Sequence, residues 1–306
     1  MASNLAEFKK LFLYNMNCYT SSTEEELEHW SNEKVFIEHQ FYIDLVSHFR
    51  PLFPEVTDEV VEKFKLICFC LLRGLIGFDK LIDENDCTKY RLGLIHYELG
   101  IKLINEFYPK EHSFWVDFNK EQQLYFDSIS DEMNYCPVTL NQKKFEILSK
   151  NKSALVNVAV YLLCHFQKNA EYKHVLTNSL MSLHVAMQIL DDISDFKKDL
   201  VNKQLTFVCV EVEAYVLALG VNLSETSNEL LFKYLFASGI ANKHYLLAIK
   251  KLRKSISYVE CLSLSTYKEF LMTEIQKVES IVDLTRGIIQ KNTLKKKLII
   301  QSEGLT

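Results

Sequence analysis

Apolar residues recur along this chain at three- and four-residue intervals almost from end to end, the spacing of helices that bury one face. The pattern predicts an early helix over 4–15. A second start is marked by Ser21-Ser22-Thr23-Glu24-Glu25-Glu26, a capping residue followed by an acidic first turn. Helical spacing runs on to His48 and breaks at Arg50-Pro51-Leu52-Phe53-Pro54. From Thr57-Asp58-Glu59 a long apolar helix passes through Phe64, Leu66, Ile67, Leu71, Leu72, Leu75 and Ile76 to Asp79, and the next ends near Tyr108-Pro109. Further helices are expected over 113–133, 140–168, 171–199, 207–219, 225–238, 241–258 and 265–290. The one strand-like run is Phe207-Val208-Cys209-Val210-Glu211-Val212. No 20–50-residue repeat is evident, so the expected architecture is all-α: a single large helical bundle over residues 1–306, not a solenoid.

Composition reinforces this picture. Only 8 glycines and 4 prolines punctuate the 306 residues, too few for a turn-dense β fold. The net charge of −5 and the scarcity of arginine (Arg50, Arg73, Arg91, Arg253, Arg286) argue against nucleic acid as a partner. The 8 cysteines lie apart without a C-x-x-C pair, as expected of buried free thiols in a reducing compartment. Met1 to Lys10 lacks an apolar signal core, and no uncharged apolar run of about 18 residues exists. A cytoplasmic location without a membrane span is expected.

Candidate chemistry gathers in two acidic clusters. The first is Phe78-Asp79-Lys80-Leu81-Ile82-Asp83-Glu84-Asn85-Asp86; the second runs from Gln188 through Asp191-Asp192-Ile193-Ser194-Asp195 to Asp199. Residues four apart share a helix face, so Asp79 pairs with Asp83, and Asp191, Asp195 and Asp199 form a ladder with His184 and Gln188 behind it. A solvated ladder costs a few tenths of a kcal/mol in mutual repulsion. Turned inward, the carboxylates would take up protons or hold cations. Oxygen ligands of this kind suit Mg²⁺, which shares substrate phosphates, and two such ladders would hold several ions around a diphosphate. Each cluster ends a strongly apolar helix, Leu71 to Phe78 and Leu180 to Leu190, as would suit a greasy substrate with a charged head.

At these residues the chain resembles the superfamily of trans-isoprenyl diphosphate synthases and class I terpene synthases. Gln188-x-x-Asp191-Asp192-x-x-Asp195 is similar to the second D-D-x-x-D motif of the prenyl synthases. Asp191, Asp195 and Asp199 also fit the metal triad of terpene synthases. In the first cluster Lys80 replaces the second aspartate, leaving Asp79-x-x-x-Asp83-Glu84, closer to the form in some cyclases and in squalene and phytoene synthases. Lys150-Asn151-Lys152-Ser153-Ala154 resembles the K-T/S-A element whose lysine binds diphosphate, and Phe236-Ala237-Ser238-Gly239-Ile240-Ala241 resembles a later S-G-x-A helix pair. The likeness runs from about residue 60 to 255.

The resemblance implies an isoprenoid-synthase-like bundle with a central apolar cavity and Mg²⁺, three ions, as cofactor. Asp79, Asp83, Glu84, Asp191, Asp195 and Asp199 are then metal ligands, with Asp192 beside them. Lys152, Arg91 and Arg253 become candidates for the diphosphate. Gly74, Gly77, Phe78 and Gln188 become pocket candidates, the glycines either as room for a prenyl tail or as close helix packing. Phe69, Phe78 and Tyr161 are aromatic candidates for steadying a cation, or simply core. Lys295-Lys296-Lys297 reads as a lid or as a solvated basic helix end, and His184 as a core histidine rather than a base.

The departures are informative. No G-K/R-x-x-R-P segment for isopentenyl diphosphate exists; Phe49-Arg50-Pro51 keeps only its end. The arginines after the first motif are reduced to Lys89 and Arg91, and Lys143 and Lys144 stand where a cyclase would carry its sensing arginine. The expected activity is therefore that of a terpene synthase on a single prenyl diphosphate. The rivals are a prenyltransferase, chain-elongating or head-to-head, and a non-catalytic regulatory subunit of a prenyl synthase. A homodimer is open.

Overall fold

The computed structural model describes residues 2–20, 32–84, 86–133, 140–204 and 206–303, with side chains in these ranges except at 2–4, 83–84, 132–133 and 288–303. Among the described residues there are fourteen α-helices and no β-strand. In chain order they are α1 Ala2–Tyr19, α2 Glu33–Glu38, α3 Gln40–Phe49, α4 Asp58–Glu84, α5 Cys87–Phe107, α6 Phe114–Met133, α7 Gln142–Lys152 and α8 Val158–Phe166. There follow α9 Lys173–Ser194, α10 Phe196–Asn202, α11 Phe207–Ala218, α12 Asn228–Ala237, α13 Ile240–Val259 and α14 Ser265–Glu303. No described helix is long and apolar enough to cross a membrane. The helix start expected at Ser21–Glu26 lies outside the described residues.

The chain forms two compact units. Unit 1 comprises Met1–Tyr125, Ala154–Thr177 and Cys261–Tyr267; unit 2 comprises Phe126–Ser153, Asn178–Glu260 and Lys268–Thr306.

In unit 1, α3 ends where expected, at a 3-10 turn over Arg50–Leu52 carrying Pro51. Helix α4 restarts behind Thr57, whose hydroxyl accepts from the Val60 amide at 3.4 Å, with Asp58 and Glu59 in its first turn. It runs past Asp79 to Glu84, so the first acidic cluster is its last turns. Helix α5 is capped by Asp86, whose carboxylate accepts from the Lys89 amide at 2.9 Å. The two helices pack along their lengths through glycines. A Cβ on Gly77 would stand 2.5 Å from the Gly93 Cα, and one on Gly74 would stand 2.7 Å from the Tyr97 Cβ. Behind α4, Phe8, Phe12, Phe36 and Phe69 form a buried ring cluster, with Phe36 and Phe69 stacked at 5.2 Å.

Unit 2 is built around the second part of α9, where Leu180, Leu183, Val185, Ala186, Ile189 and Ile193 are buried. Ser179 on α9 and Ser255 on α13 lock these helices together, each hydroxyl donating to the other's carbonyl at 2.9 Å or sharing the 2.8 Å contact between them. Phe145, Phe207 and His244 tie α7, α11 and α13 through ring contacts of 5.1 Å.

Three expectations need correction. The run over 140–168 is two helices split by a 3-10 turn at Ala154–Asn157. The run over 171–199 bends at Asp195, although the Asp195 and Asp199 amides still bond four residues back at 2.8 and 2.9 Å. The strand-like segment at 207–212 is the start of α11, as the helix expected over 207–219 required; Thr206 caps it, and Val208 and Val212 pack inward. All described cysteines are free, but Cys18, Cys87 and Cys261 are exposed rather than buried.

Candidate functional site

The second acidic cluster occupies the end of α9 and the bend into α10, all within unit 2. Apolar residues on α9 bury the helix up to Ile193, which leaves the carboxylates of the last turn at the edge of the core. Asp192 is buried at 4% exposure and accepts from the Gln188 amide at 2.9 Å. Burial pushes its carboxyl up to about 8; Asp191 and Asp199 add to the rise, while the Gln188 bond and Lys152 oppose it. Asp191 keeps an exposed edge. Loss of water around its carboxyl nevertheless raises its proton affinity, Asp195 raises it further, and Lys152 and Lys198 work against the rise. Asp199 is buried at the start of α10, and Asp195 lies 3.7 Å from the Lys198 ammonium.

Lys152 ends α7 just before the 3-10 turn, and its charge bears on Asp191 and Asp192, favouring their ionised forms. Gln188, Asp191, Asp192, Asp195 and Asp199 thus line the end of α9 and the start of α10, within range of the Lys152 charge. Sequence reasoning missed two members. Lys198 is visible in hindsight as the basic residue three places after Asp195. Cys209, a buried thiol on α11 pushed up to about 11 mainly by burial and partly by Asp199 and Asp192, carries no sequence signal.

The first cluster lies in unit 1. Asp79 is half-buried and accepts from the Tyr125 hydroxyl at 3.1 Å. That partner, on α6, was not legible, since nothing in the spacing links residues 46 apart. The side chains of Asp83 and Glu84 lie outside the described residues, as do those of Lys295, Lys296 and Lys297. Arg91 is an exposed residue of α5.

Several assignments change. Gly74 and Gly77 are filled by α5, so they serve helix packing and provide no room for a substrate tail. Phe78 belongs to the same contact, its ring 5.4 Å from Tyr97 and 5.8 Å from Tyr90. Phe69 is sealed in the aromatic cluster at 1% exposure. Tyr161 donates its hydroxyl to Glu121, beneath the Lys173 ammonium. Arg253 pairs with Glu279 at 2.8 Å. Its neighbour Ser255 touches Ser179, which precedes Asp191 by twelve residues, about 18 Å along a helix axis, so Arg253 is remote from the second cluster. His184 is the core histidine expected, its Nδ1 bonded to the Leu180 carbonyl at 2.8 Å. An apolar cavity beside Leu71, Leu72 and Leu75 in unit 1 measures only about 20 Å³, the space of roughly one water.

Among the described residues, no three carboxylate, histidine or cysteine side chains converge as a complete metal cage. The donor set still fits Mg²⁺. That ion takes one or two carboxylates, keeps several waters and completes its shell with substrate phosphates. Asp191 and Asp192, whose proton affinity is raised although Lys152 lowers it, form an arrangement that gains from added positive charge. Neither a family model nor a curated protein matches the chain.

Proposed function

We propose that the chain is a Mg²⁺-dependent class I terpene synthase, an isoprenoid-synthase-like bundle with a central apolar cavity that ionises one linear prenyl diphosphate. The observation that carries this reading is the half-buried acidic turn at the end of α9, where Asp192 is bonded by Gln188 and the charge of Lys152 bears on Asp191 and Asp192. The resemblance gives that lysine to the diphosphate and Asp191 to the metal, and the two stand at the ends of separate helices, α7 and α9.

Asp191, Asp195 and Asp199, one or two to each ion, would hold Mg²⁺ at the second cluster, and Asp79 would do so at the first. Bound there, the metal neutralises diphosphate charge and makes it a better leaving group. Lys152 offers three N–H donors to the diphosphate oxygens. Asp192, neutral and fixed by Gln188, braces the turn that carries Asp191. Tyr125 orients the Asp79 carboxylate from its own side. The allylic C–O bond breaks with its electron pair leaving on diphosphate. The cation then closes on an alkene of the same chain and gives up a proton to the departed diphosphate, or is quenched by water, whose extra proton goes to the same acceptor. Apolar side chains around the tail decide which, by excluding water.

The test is diphosphate release by Asp191→Ala and Lys152→Ala, with helicity checked by circular dichroism. Each should lose at least about a hundredfold in rate, the scale of removing one charge-stabilising group. Full activity in either folded variant contradicts the site. Lys80, standing where the first motif has its second aspartate, favours one other reading, a non-catalytic partner subunit. Absence of any release by the unaltered protein supports that instead.

A further inference from the structure

Unit 2 carries, apart from the acidic cluster, an open concavity of about 510 Å³ between α7 and α13. Its lining is basic although the chain as a whole carries −5. Lys250, Lys251, Arg253 and Lys254 face a single carboxylate, Glu146. That carboxylate is already engaged: Lys251 meets it at 2.5 Å and the Gln142 amide donates to it at 2.9 Å. Arg253 is drawn to Glu279. Lys250 and Lys254 are exposed and, among the described residues, meet no carboxylate. They stand four apart on one face of α13, where like charges repel. Lys254 lies over the Tyr258 ring at 5.8 Å, and the Ser257 hydroxyl is spent on the Lys254 carbonyl at 2.8 Å. Two ammonium groups are therefore the donors this hollow presents, over an ion-paired floor.

We infer that this concavity binds a phosphate-bearing small anion, held between the Lys250 and Lys254 ammonium groups without a metal ion. Its volume is that of a small-molecule site. An anion there removes the repulsion between the two lysines and accepts charge-assisted N–H bonds from both ammonium groups. The site is separate from the acidic cluster: Ser255, beside Lys254, bonds Ser179, and Asp191 lies twelve residues further along α9. The inference goes beyond the proposed activity and holds whatever the acidic cluster does.

The experiment is calorimetric titration of the full chain with inorganic diphosphate, divalent metal having been removed by a chelator. Saturable one-to-one binding is expected. The double variant Lys250→Ala/Lys254→Ala should weaken it at least tenfold, and Lys233→Ala, an exposed lysine of α12, should leave it unchanged. No saturable binding, binding indifferent to the double variant, or equal weakening by Lys233→Ala overturns the inference. Sedimentation with phosphatidylcholine vesicles, with and without phosphatidic acid, separates the sources. Pelleting that needs phosphatidic acid and both lysines assigns the phosphate to a lipid headgroup; binding of free diphosphate alone assigns it to a soluble ligand. Because the assay contains neither Mg²⁺ nor a prenyl chain, its failure is distinct from failure of the proposed activity.

Discussion

His184 sits 4% exposed in the core of unit 2, its Nδ1–H given to the Leu180 carbonyl, and burial holds its pKa down to about 4. The folded protein therefore keeps it neutral while the unfolded chain protonates it near 6.5. As pH falls from 6.5 to 4 the unfolded state binds more protons, so stability present above 6.5 is lost through that window. Between pH 7 and 4.5 the loss from this residue is on the order of 2 kcal/mol. Urea unfolding at the two pH values should show His184→Leu losing less than the unaltered chain by that amount; equal losses would refute the assignment. The residue was legible as core because it falls on an apolar helix face. Asp79 shows the opposite case: its position at a helix end is written in the sequence, its hydroxyl partner Tyr125 is not. Contacts between helices distant in sequence leave no periodic trace.

Glycine use is settled at the level of elements. Four of the eight glycines, Gly74, Gly77, Gly93 and Gly100, are spent where α4 meets α5, and among the described residues only Gly220 and Gly239 are glycines at positive φ. At Gly77 a methyl group would meet backbone, the Gly93 Cα at 2.5 Å and the Lys89 carbonyl at 2.8 Å. Backbone cannot yield as a side chain does, so Gly77→Ala should destabilise by about 1–3 kcal/mol in urea unfolding despite its better helix propensity. At Gly100 the obstacle is the flexible end of Leu71 at 3.1 Å, and Gly100→Ala should come close to neutral. Equal costs at the two positions would contradict the packing described. At the end of α10 the chain instead forces Lys203 to φ 58. Lys203→Gly should gain about 0.5–1 kcal/mol, since only glycine enters that conformation freely; a loss would argue against the left-handed cap. Helix existence was legible from spacing nearly everywhere. The breaks at 153 and 195 were not, because apolar spacing continues through both and neither carries glycine or proline.

For the molecule as a whole, the acidic turn of α9 and α10 is the part of the candidate site whose place at a helix end was legible from spacing. The pocket was anticipated less well. Its expected glycines and Phe78 belong to a helix contact, and Arg253 belongs to another end of unit 2. Charge patterns survive translation into three dimensions because they sit at helix ends, whereas pocket walls depend on which faces meet. Binding should also register in global stability. With Mg²⁺ and diphosphate each far above their dissociation constants, the melting temperature should rise, and Lys152→Ala should diminish the rise; a rise that Mg²⁺ does not affect would separate it from the acidic cluster.

The most direct measurement is product analysis after incubating the purified chain with Mg²⁺ and geranyl, farnesyl or geranylgeranyl diphosphate, each with and without isopentenyl diphosphate. The account predicts diphosphate release and a hydrocarbon or alcohol from one of these substrates alone, unchanged by the second. A longer prenyl diphosphate formed only when isopentenyl diphosphate is present, or no diphosphate release under any condition, would contradict it.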